Sequence, residues 1–287
     1  MTGQLVLGAV AYDPKVVTIW DGFRAWLRGH DLAFDYVLYS NYERQVTELL
    51  AGRIDVAWNS PLAWVRARRL AQTAGVSLRA VAMRDTDRDL TSVVVVRADS
   101  PVQTVADLRG LQVATGAADS PQATLLPLAL LRNAGLRLGA DGQVRVRRFD
   151  VGVGLHGDHI GGERDAARAL ATGDADAACM IDANLLLFAR EGILPAGSTR
   201  VLAQTAPYDH CTMTAGPAAD AGLIETFRRL LLGMSYADPQ VRVLLDLEGL
   251  KEWLPARLEG YEQLERAVDE LGFYTADGAI SASDYRP

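Results

Sequence analysis

The sequence predicts an α/β fold, arranged either as two lobes or as one large unit. Apolar runs of strand length alternate with segments of helical periodicity, which is typical of sheets covered by helices. The 287 residues exceed the usual size of one domain, and a hydrophobic fraction of 49% is sufficient for a sizeable core. Because helices separate the strands, we expect the sheets to be mostly parallel.

The predicted strands are short and apolar. In chain order they are QLVLGAVA (4–11), FDYVLYS (34–40), IDVAWN (54–59), SVVVVRAD (92–99), LQVATG (111–116), VRVRRFD (144–150), DAACMI (176–181) and TRVLAQT (199–205). The predicted helices lie between them, at 16–29, 42–52, 60–75, 104–110, 120–135, 164–173 and 184–192. Ser60 and Thr104 are expected to cap two of these helices, and Pro61 suits a first helical turn. From about residue 219 the chain is expected to be helical.

Composition limits the classes of partner. A net charge of −7 argues against nucleic acid and anionic membranes, which both require a concentrated basic face. No apolar run approaches the length of a membrane span. Cys179 and Cys211 lie far apart with no CxxC motif, which suits a reducing compartment. The first residues are interpreted as a strand, so we expect a cytoplasmic protein, or a periplasmic one if a leader peptide has been removed.

Polar residues follow several of the predicted strands. They occur in the loops Tyr12–Asp13, Asn59–Ser60, Gly116–Ser120, Gly157–Glu163 and Asp182–Asn184. In an open parallel sheet such loops lie at the carboxyl ends of the strands, where ligands bind. Two facing lobes would form a cleft lined by helix N-termini, which suits a polar or anionic ligand.

Four segments together resemble the phosphonate-type periplasmic solute-binding proteins. They are NYERQVTELLAGRIDVAWNSPLAWVRA, SVVVVRADSPVQTVADLRGLQVATGAADSPQATLLPLALLRNAGL, RDAARALATGDADAACM and RVLAQTAPYD. The resemblance covers roughly residues 4 to 250. It implies the type 2 periplasmic-binding fold, with two crossover strands as a hinge and the ligand in the cleft. Lobe one would comprise 1–92 plus 210–287 and lobe two 93–209, with the hinge near Thr91-Ser92 and Pro207-Tyr208.

The chain departs from that family at the ligand loop. The family usually has a Ser-Thr-Ser-Gly-like run there, whereas this chain has AADSPQA, which keeps Ser120 and adds Asp119. Where the family favours Gly-Ser-His-Asp, the corresponding residues are Gly162 to Asp165, and 158–161 is interpreted as an inserted loop. Carboxylates at these positions favour a cationic, zwitterionic or metal-linked ligand over a dianionic phosphonate.

The histidines permit three interpretations. His156 and His159 share one glycine-rich loop, and His210 and Cys211 follow the second crossover, so all would border the cleft. They would bind a metal such as zinc or iron with help from Asp158, Glu163 or Asp209, contact the ligand directly, or form structural hydrogen bonds. A free cysteine such as Cys211 is more often a buried core residue than a catalytic one. If HCTMT is extended, His210 and Cys211 point to opposite faces of the strand.

The residues that we expect to bind ligand share a position at strand ends or around the cleft. The ligand-binding candidates are Tyr12, Asp13, Asn59, Ser60, Asp119, Ser120, His156, His159, Glu163, Arg164, Asp182 and His210. Tyr12 is favoured because an aromatic ring can stack on a ligand, and Asn59 and Ser60 are as readily helix caps. In RDTDRDLTS (84–92), Arg88 either belongs to a solvated loop or reaches into the cleft.

We therefore predict a solute-binding-like protein that closes over a small polar ligand, zwitterionic or anionic, and no cofactor is firmly implied. The alternative is a cytoplasmic metal-dependent enzyme on the same fold, with His156, His159 and His210 as metal ligands. The candidate catalytic residues for that alternative are His159, Glu163 and Cys211. An ABC permease is expected as a partner only if a leader peptide has been removed.

Overall fold

A computed structural model describes residues 3–139, 142–149, 152–153, 156–157, 159–283 and 285–287. The strands are β1 (Leu5–Val10), β2 (Phe34–Tyr39), β3 (Val56–Asn59), β4 (Arg79–Ala80), β5 (Ala82–Arg84), β6 (Ser92–Arg97), β7 (Gln112–Thr115), β8 (Arg145–Arg148), β9 (Gly152–Val153), β10 (His156–Gly157), β11 (Ala177–Ile181), β12 (Thr199–Gln204), β13 (Thr212–Ala215) and β14 (Trp253–Pro255).

Nine α-helices occur among these strands in the part of the chain that the structure describes. They are α1 (Lys15–Gly29), α2 (Tyr42–Leu50), α3 (Pro61–Ala74), α4 (Leu126–Asn133), α5 (His159–Thr172), α6 (Asp182–Arg190), α7 (Ala221–Leu232), α8 (Pro239–Glu248) and α9 (Glu262–Leu271). A π-helical turn, Pro121–Leu125, precedes α4 directly. Single 3₁₀ turns occupy Asp85–Asp87, Val105–Leu108 and Glu259–Tyr261.

Two five-stranded sheets form the frame, in the orders β2-β1-β3-β13-β4 and β12-β6-β11-β7-β8. In the first sheet, β1 pairs parallel with β2 and β3, while β13 is antiparallel to β3 and β4. In the second, β11, β7 and β8 run parallel, and β6 is antiparallel to β11 and β12. Each sheet has fewer parallel pairs than the sequence predicts, because β6 and β13 enter from the other sheet and therefore run against their neighbours.

The two chain crossings between the sheets lie side by side. Leu90 and Tyr208 exchange both backbone hydrogen bonds, at 2.9 and 2.8 Å. The Ser92 hydroxyl lies 2.8 Å from the Tyr208 hydroxyl, and the Ser92 amide donates to Thr205 Oγ1 at 2.9 Å. The expected hinge positions are thus paired with each other. The lobe boundaries at 92 and 210 stay predictions.

Separate apolar clusters cover the faces of the two sheets. Helix α1 is an example: its buried residues recur with helical spacing, so that one apolar face of the helix packs against the core. These residues are Val16, Ile19, Trp20, Phe23 and Leu27. A further cluster joins α3 of the first sheet to the π turn and α4 of the second through the C-terminal segment. Its members include Leu62, Val65, Leu125, Leu126, Leu264, Phe273, Tyr274 and Tyr285.

Two elements differ from the sequence prediction. Helix α5 begins at His159 rather than near Arg164, so His159 and Gly161 lie in its first turn and not in an inserted loop. The C-terminal region is not entirely helical, since Trp253–Pro255 forms β14 and pairs antiparallel with β5. Proline and tryptophan suit a short edge strand, a signal that the surrounding helical pattern obscures.

Candidate functional site

Two helices begin at capped turns after central strands, one in each sheet. Ser60 follows β3 and its hydroxyl accepts from the Ala63 amide at 3.2 Å, capping α3. Ser120 follows β7 and accepts from the Ala123 amide at 3.2 Å, capping the π turn that continues into α4. Both serines are buried. The positive ends of these helix dipoles therefore lie at the strand ends where the ligand is predicted.

Asn59 supplies a donor beside the first of these turns. It is the last residue of β3 and is fully buried. Its Oδ1 accepts from Gln45 Nε2 at 2.9 Å. Its Nδ2 has no hydrogen-bond partner among the residues that the structure describes. A buried amide donor without a partner is costly, so this position requires an acceptor from water or ligand.

The Asp119 carboxylate is paired. His159 Nε2 lies 3.1 Å from Asp119 Oδ1, and both side chains are largely buried. The pair forms because α5 starts early enough to bring its first residue over the loop that follows β7. Asp119 is therefore not an isolated negative charge in the cleft.

Gly162 explains how α5 approaches that loop so closely. A Cβ at Gly162 would lie 2.6 Å from the Phe149 carbonyl oxygen and 3.3 Å from the Ala117 amide. A Cβ at Gly116 would lie 2.9 Å from the Ala123 side chain. Glycine at 162 lets the backbone of α5 touch that of the neighbouring loop, and glycine at 116 leaves room for the Ala123 side chain, so His159 can lie against Asp119.

Glu163 is fully buried on the next turn of α5. Burial raises the pKa of its carboxyl to about 7, although hydrogen bonds from Asn184 Nδ2 and the Ile181 amide lower it. These two bonds, 2.8 and 3.0 Å, end on the same oxygen, Oε2. Glu163 thus ties α5 to the β11–α6 turn. Its burial does not suit a catalytic acid or base in contact with substrate.

A charged cluster lies where β5, the 3₁₀ turn after it, the segment before β13 and the end of α8 meet. Arg84 Nε and Nη2 donate to the two carboxylate oxygens of Asp87 at 2.6 and 2.9 Å. Burial raises the pKa of Asp87, but the Arg84 charge and hydrogen bonds outweigh it and hold that pKa well below its usual value. His210 Nδ1 lies 3.4 Å from Asp87 Oδ1 and 3.1 Å from Cys211 Sγ. Burial raises the pKa of Glu248, the next carboxyl in this cluster, to about 7.

The contact between His210 and Cys211 corrects the sequence-based expectation that they face apart. Strand β13 begins only at Thr212, so the alternation of an extended strand does not apply to the two preceding residues. Burial raises the pKa of the Cys211 thiol well above its usual value, which opposes a nucleophilic role. Cys179 is buried in β11, and burial raises the pKa of its thiol to about 12, as expected of a core cysteine.

Two tyrosines connect the cluster to the cleft loops. Tyr12 is 38% exposed, and burial of its hydroxyl together with the charge of Glu248 raises its pKa. Burial also raises the pKa of Tyr42, and Cys211, Tyr12 and Asp119 add to this shift. Tyr42 therefore has electrostatic neighbours in loops associated with both sheets.

Other predicted site residues are engaged elsewhere. Arg164 donates twice to Glu191, each at 2.9 Å. Asp182 accepts from the Thr91 hydroxyl at 2.8 Å, and exposed Asp13 accepts from the Lys15 amide at 2.8 Å. These contacts engage the three side chains, and their assignment as ligand-binding residues stays a prediction.

Two further residues near the second crossover, Asp209 and Arg88, also have partners within the protein. Asp209 accepts two hydrogen bonds of 2.6 Å from Arg257, and its role as a metal ligand stays a prediction. Arg88 donates to the Pro255 carbonyl. Predictions for Asp158 and for the His156 side chain lie outside the described residues.

Sequence reasoning missed Arg84, Asp87 and Glu248. The stretch RDTDRDLTS carries the first two, but its alternating charges resemble a solvated loop. Only the fold brings Glu248, about 160 positions further along the chain, next to Arg84. In the sequence, the only signal of the Arg84–Asp87 ion pair is that the aspartate follows the arginine by three residues.

The two sheets, their paired crossings and the polar turns at facing strand ends define a solute-binding protein of the ABC-transporter type. Residues 9–261 match the family described as "ABC transporter, phosphonate, periplasmic substrate-binding protein". The chain belongs to this family. The resemblance stated from the sequence, the two-lobed fold and the solute-binding class are thereby confirmed, and the metal-dependent enzyme alternative has no support.

Solved structures with the same fold include three that differ in what they bind. PhnD1 of Prochlorococcus marinus (MIT 9301), in complex with methylphosphonate, is 17% identical, with a TM-score of 0.67 over 95% of this chain and 99% of that chain. XAC2383 of Xanthomonas citri, bound to ATP, is 18% identical, with a TM-score of 0.69 and coverages of 93% and 98%. The periplasmic aliphatic sulphonate binding protein SsuA of Escherichia coli is 19% identical, with a TM-score of 0.58 and coverages of 95% and 94%.

The family is one of periplasmic proteins, and it does not support the cytoplasmic location expected from the sequence. Among the described residues, no helix is both long enough and apolar enough to cross a membrane. The individual ligand-binding residues stay predictions.

Proposed function

We propose that this protein binds a small oxyanion between the two sets of strand-end loops, as the substrate-binding component of an ABC importer. The observation that carries the proposal is the buried, unpartnered Nδ2 of Asn59 beside the Ser60-capped start of α3. An amide donor and a helix N-terminus both favour an anionic acceptor. The Ser120-capped turn offers a second set of donors from the other sheet.

The charge of the cleft supports an anion better than the sequence alone indicates. Asp119 is paired with His159, and the Glu163 carboxyl has a pKa of about 7, so it is substantially protonated near neutral pH. The Gln122 side chain lies beside Glu163, and Oε1 of each is buried without a partner among the described residues. A hydrogen bond from Gln122 lowers the Glu163 pKa, but burial outweighs it and holds that pKa at about 7. Of the two acids that argued against an anion, Asp119 has a hydrogen-bonding partner and Glu163 has a raised pKa.

The test uses fluorescence titration, because Trp58 precedes Asn59 in β3 and reports on its surroundings. The probes are methylphosphonate, ethanesulfonate, inorganic phosphate and zwitterionic 2-aminoethylphosphonate. Asn59→Asp replaces the donor with an acceptor of the same shape and should weaken anion binding about 10- to 100-fold, since a hydrogen bond to a charged group contributes roughly 1.5–3 kcal/mol.

Asn133→Asp is the matched control, because it makes the same change at an exposed position at the end of α4. It should leave affinity unchanged. Unaltered anion affinity in Asn59→Asp would contradict the proposed site. Saturable binding of the zwitterion with none of the three anions would overturn the oxyanion class.

The compartment and the transporter partner belong to the same proposal. Membership of a periplasmic substrate-binding family supports a location outside the cytoplasm and delivery of the ligand to an ABC permease. Co-purification with a permease encoded beside this chain, in the presence and absence of ligand, tests the partnership. A ligand-loaded protein that no permease retains would contradict it.

A further inference from the structure

Three side chains of different chemistry converge near the start of β13. A carboxylate oxygen of Asp87, His210 Nδ1 and Cys211 Sγ all lie within 4.8 Å of one another. They come from two segments that the fold brings together, the 3₁₀ turn after β5 and the two residues before β13. We propose that Asp87, His210 and Cys211 bind one Zn²⁺ ion.

Two of the three donor separations are near those of a tetrahedral ion, and the third, between an Asp87 oxygen and Cys211 Sγ, is at most 4.8 Å. Zinc bonds of about 2.0 Å to nitrogen or oxygen and about 2.3 Å to sulfur place neighbouring ligand atoms roughly 3.3–3.6 Å apart. His210 Nδ1 is 3.4 Å from Asp87 Oδ1 and 3.1 Å from Cys211 Sγ. Thiolate, imidazole and carboxylate together are a zinc-type donor set.

Arg84 orients the carboxylate ligand. Its two hydrogen bonds to Asp87 leave further lone pairs on the Asp87 oxygens, and ligating carboxylates are generally held by such outer contacts. Arg84 is itself fixed by a 2.8 Å hydrogen bond to the Glu248 carbonyl and by the Trp58 ring, 5.2 Å away. Ionised Asp87, Cys211 and Glu248 would balance the charges of Arg84 and the ion.

The arrangement does not fit a nucleophilic triad. In a triad the acid and the nucleophile contact different ring nitrogens of the histidine, whereas Asp87 and Cys211 both contact Nδ1 of His210. Convergence on one nitrogen is what a shared ion requires. Three protein ligands leave a fourth position for water, and the His210 side chain, 19% exposed against 1% for Asp87, marks the side of entry.

Binding has a defined proton balance. Cys211 must lose its thiol proton to become a ligand, because only the thiolate binds the metal. His210 binds through a deprotonated Nδ1, so if its ring is neutral beforehand it releases no proton and keeps its remaining one on Nε2. Cys211 therefore passes one proton per ion to the buffer, and Glu248 passes a second where it is protonated before binding. No oxidant or second substrate is involved.

The experiment titrates metal-free protein with Co²⁺. Zinc has no visible absorption, whereas the absorption spectrum of bound cobalt depends on its ligands and their geometry. One equivalent should produce visible bands of tetrahedral cobalt and a near-ultraviolet thiolate-to-cobalt band, both abolished by one equivalent of Zn²⁺. Cys211→Ser should remove the thiolate band and weaken binding at least about 100-fold. Cys179→Ser, which removes the buried thiol of β11, is the matched control and should behave as wild type.

Thermal unfolding of each variant shows whether it is folded. If Cys211→Ser is not, His210→Gln provides the same comparison and should also weaken binding at least about 100-fold. Absence of a stoichiometric cobalt spectrum in the wild type would overturn the proposal. So would a thiolate band that survives Cys211→Ser, or one that disappears in Cys179→Ser.

Discussion

Replacing Glu163 with glutamine should change how the stability of the protein depends on pH. Glu163 is fully buried, and burial raises the pKa of its carboxyl from 4.5 to about 7. Glutamine keeps an oxygen that can accept from the Ile181 amide and Asn184, the two groups that now donate to Glu163. The variant therefore preserves the contacts and removes only the titration.

The sign follows from proton binding. Between pH 4.5 and about 7 the folded protein holds the Glu163 proton more tightly than the unfolded chain does, so the free energy of unfolding falls as pH rises through this window. Since one pKa unit corresponds to about 1.4 kcal/mol, the raised pKa makes a contribution of roughly 2–3 kcal/mol that is present at pH 5 and lost by pH 8. Glu163→Gln should therefore gain roughly 2–3 kcal/mol relative to wild type across that range.

Urea unfolding at several pH values, followed by tryptophan fluorescence and circular dichroism, measures this difference. Glu225→Gln is the control, because Glu225 is an exposed glutamate on α7. Its profile should run parallel to that of the wild type. If the Glu163→Gln profile is also parallel, Glu163 is ionised throughout, and the neutral carboxyl on which the oxyanion proposal partly depends does not exist.

Further predictions concern packing and a buried charge, each measured by urea unfolding. Gly162→Ala should destabilise by about 1–3 kcal/mol, because its Cβ would lie 2.6 Å from the Phe149 carbonyl. Gly29→Ala, with nothing within 4 Å, should stabilise by up to about 1 kcal/mol; equal effects would refute the steric argument. Arg257→Ala should cost about 3–5 kcal/mol by leaving fully buried Asp209 unpaired, and more than Asp209→Ala, because Arg257 is 33% exposed and can regain water. The reverse order would show that Asp209 is solvated.

Much of the fold follows from local signals that the sequence displays directly. Ser60 and Pro61 mark the start of α3, and Gly75 ends it in the left-handed conformation with φ of 67°. Thr104 and Asp107 form the capping box of a short helical turn at the place expected. These signals depend on neighbouring residues alone, which is why they are visible without a structure.

The site is harder to predict because its properties arise between distant segments. The sequence predicts a start of α5 about five residues too late, because glycines disfavour helices, whereas in the fold Gly162 is needed for contact with Phe149. Asp87 and Arg84 lie in a stretch that resembles a solvated loop, yet Asp87 is almost completely buried. At both positions local propensity predicts a loop, whereas tertiary contacts stabilise a helix start in one case and a buried ion pair in the other.

The same distinction changes the argument about the ligand. Counting carboxylates in the loops favoured a cation or zwitterion, because Asp119 and Glu163 appear negative in the sequence. Within the fold, Asp119 has His159 as a partner and Glu163 is buried with a pKa of about 7. Asn59 offers a donor that nothing in the described residues accepts from. What a cleft binds depends on the charges and hydrogen-bonding groups left unsatisfied after folding, and those that remain around Asn59 favour an anion.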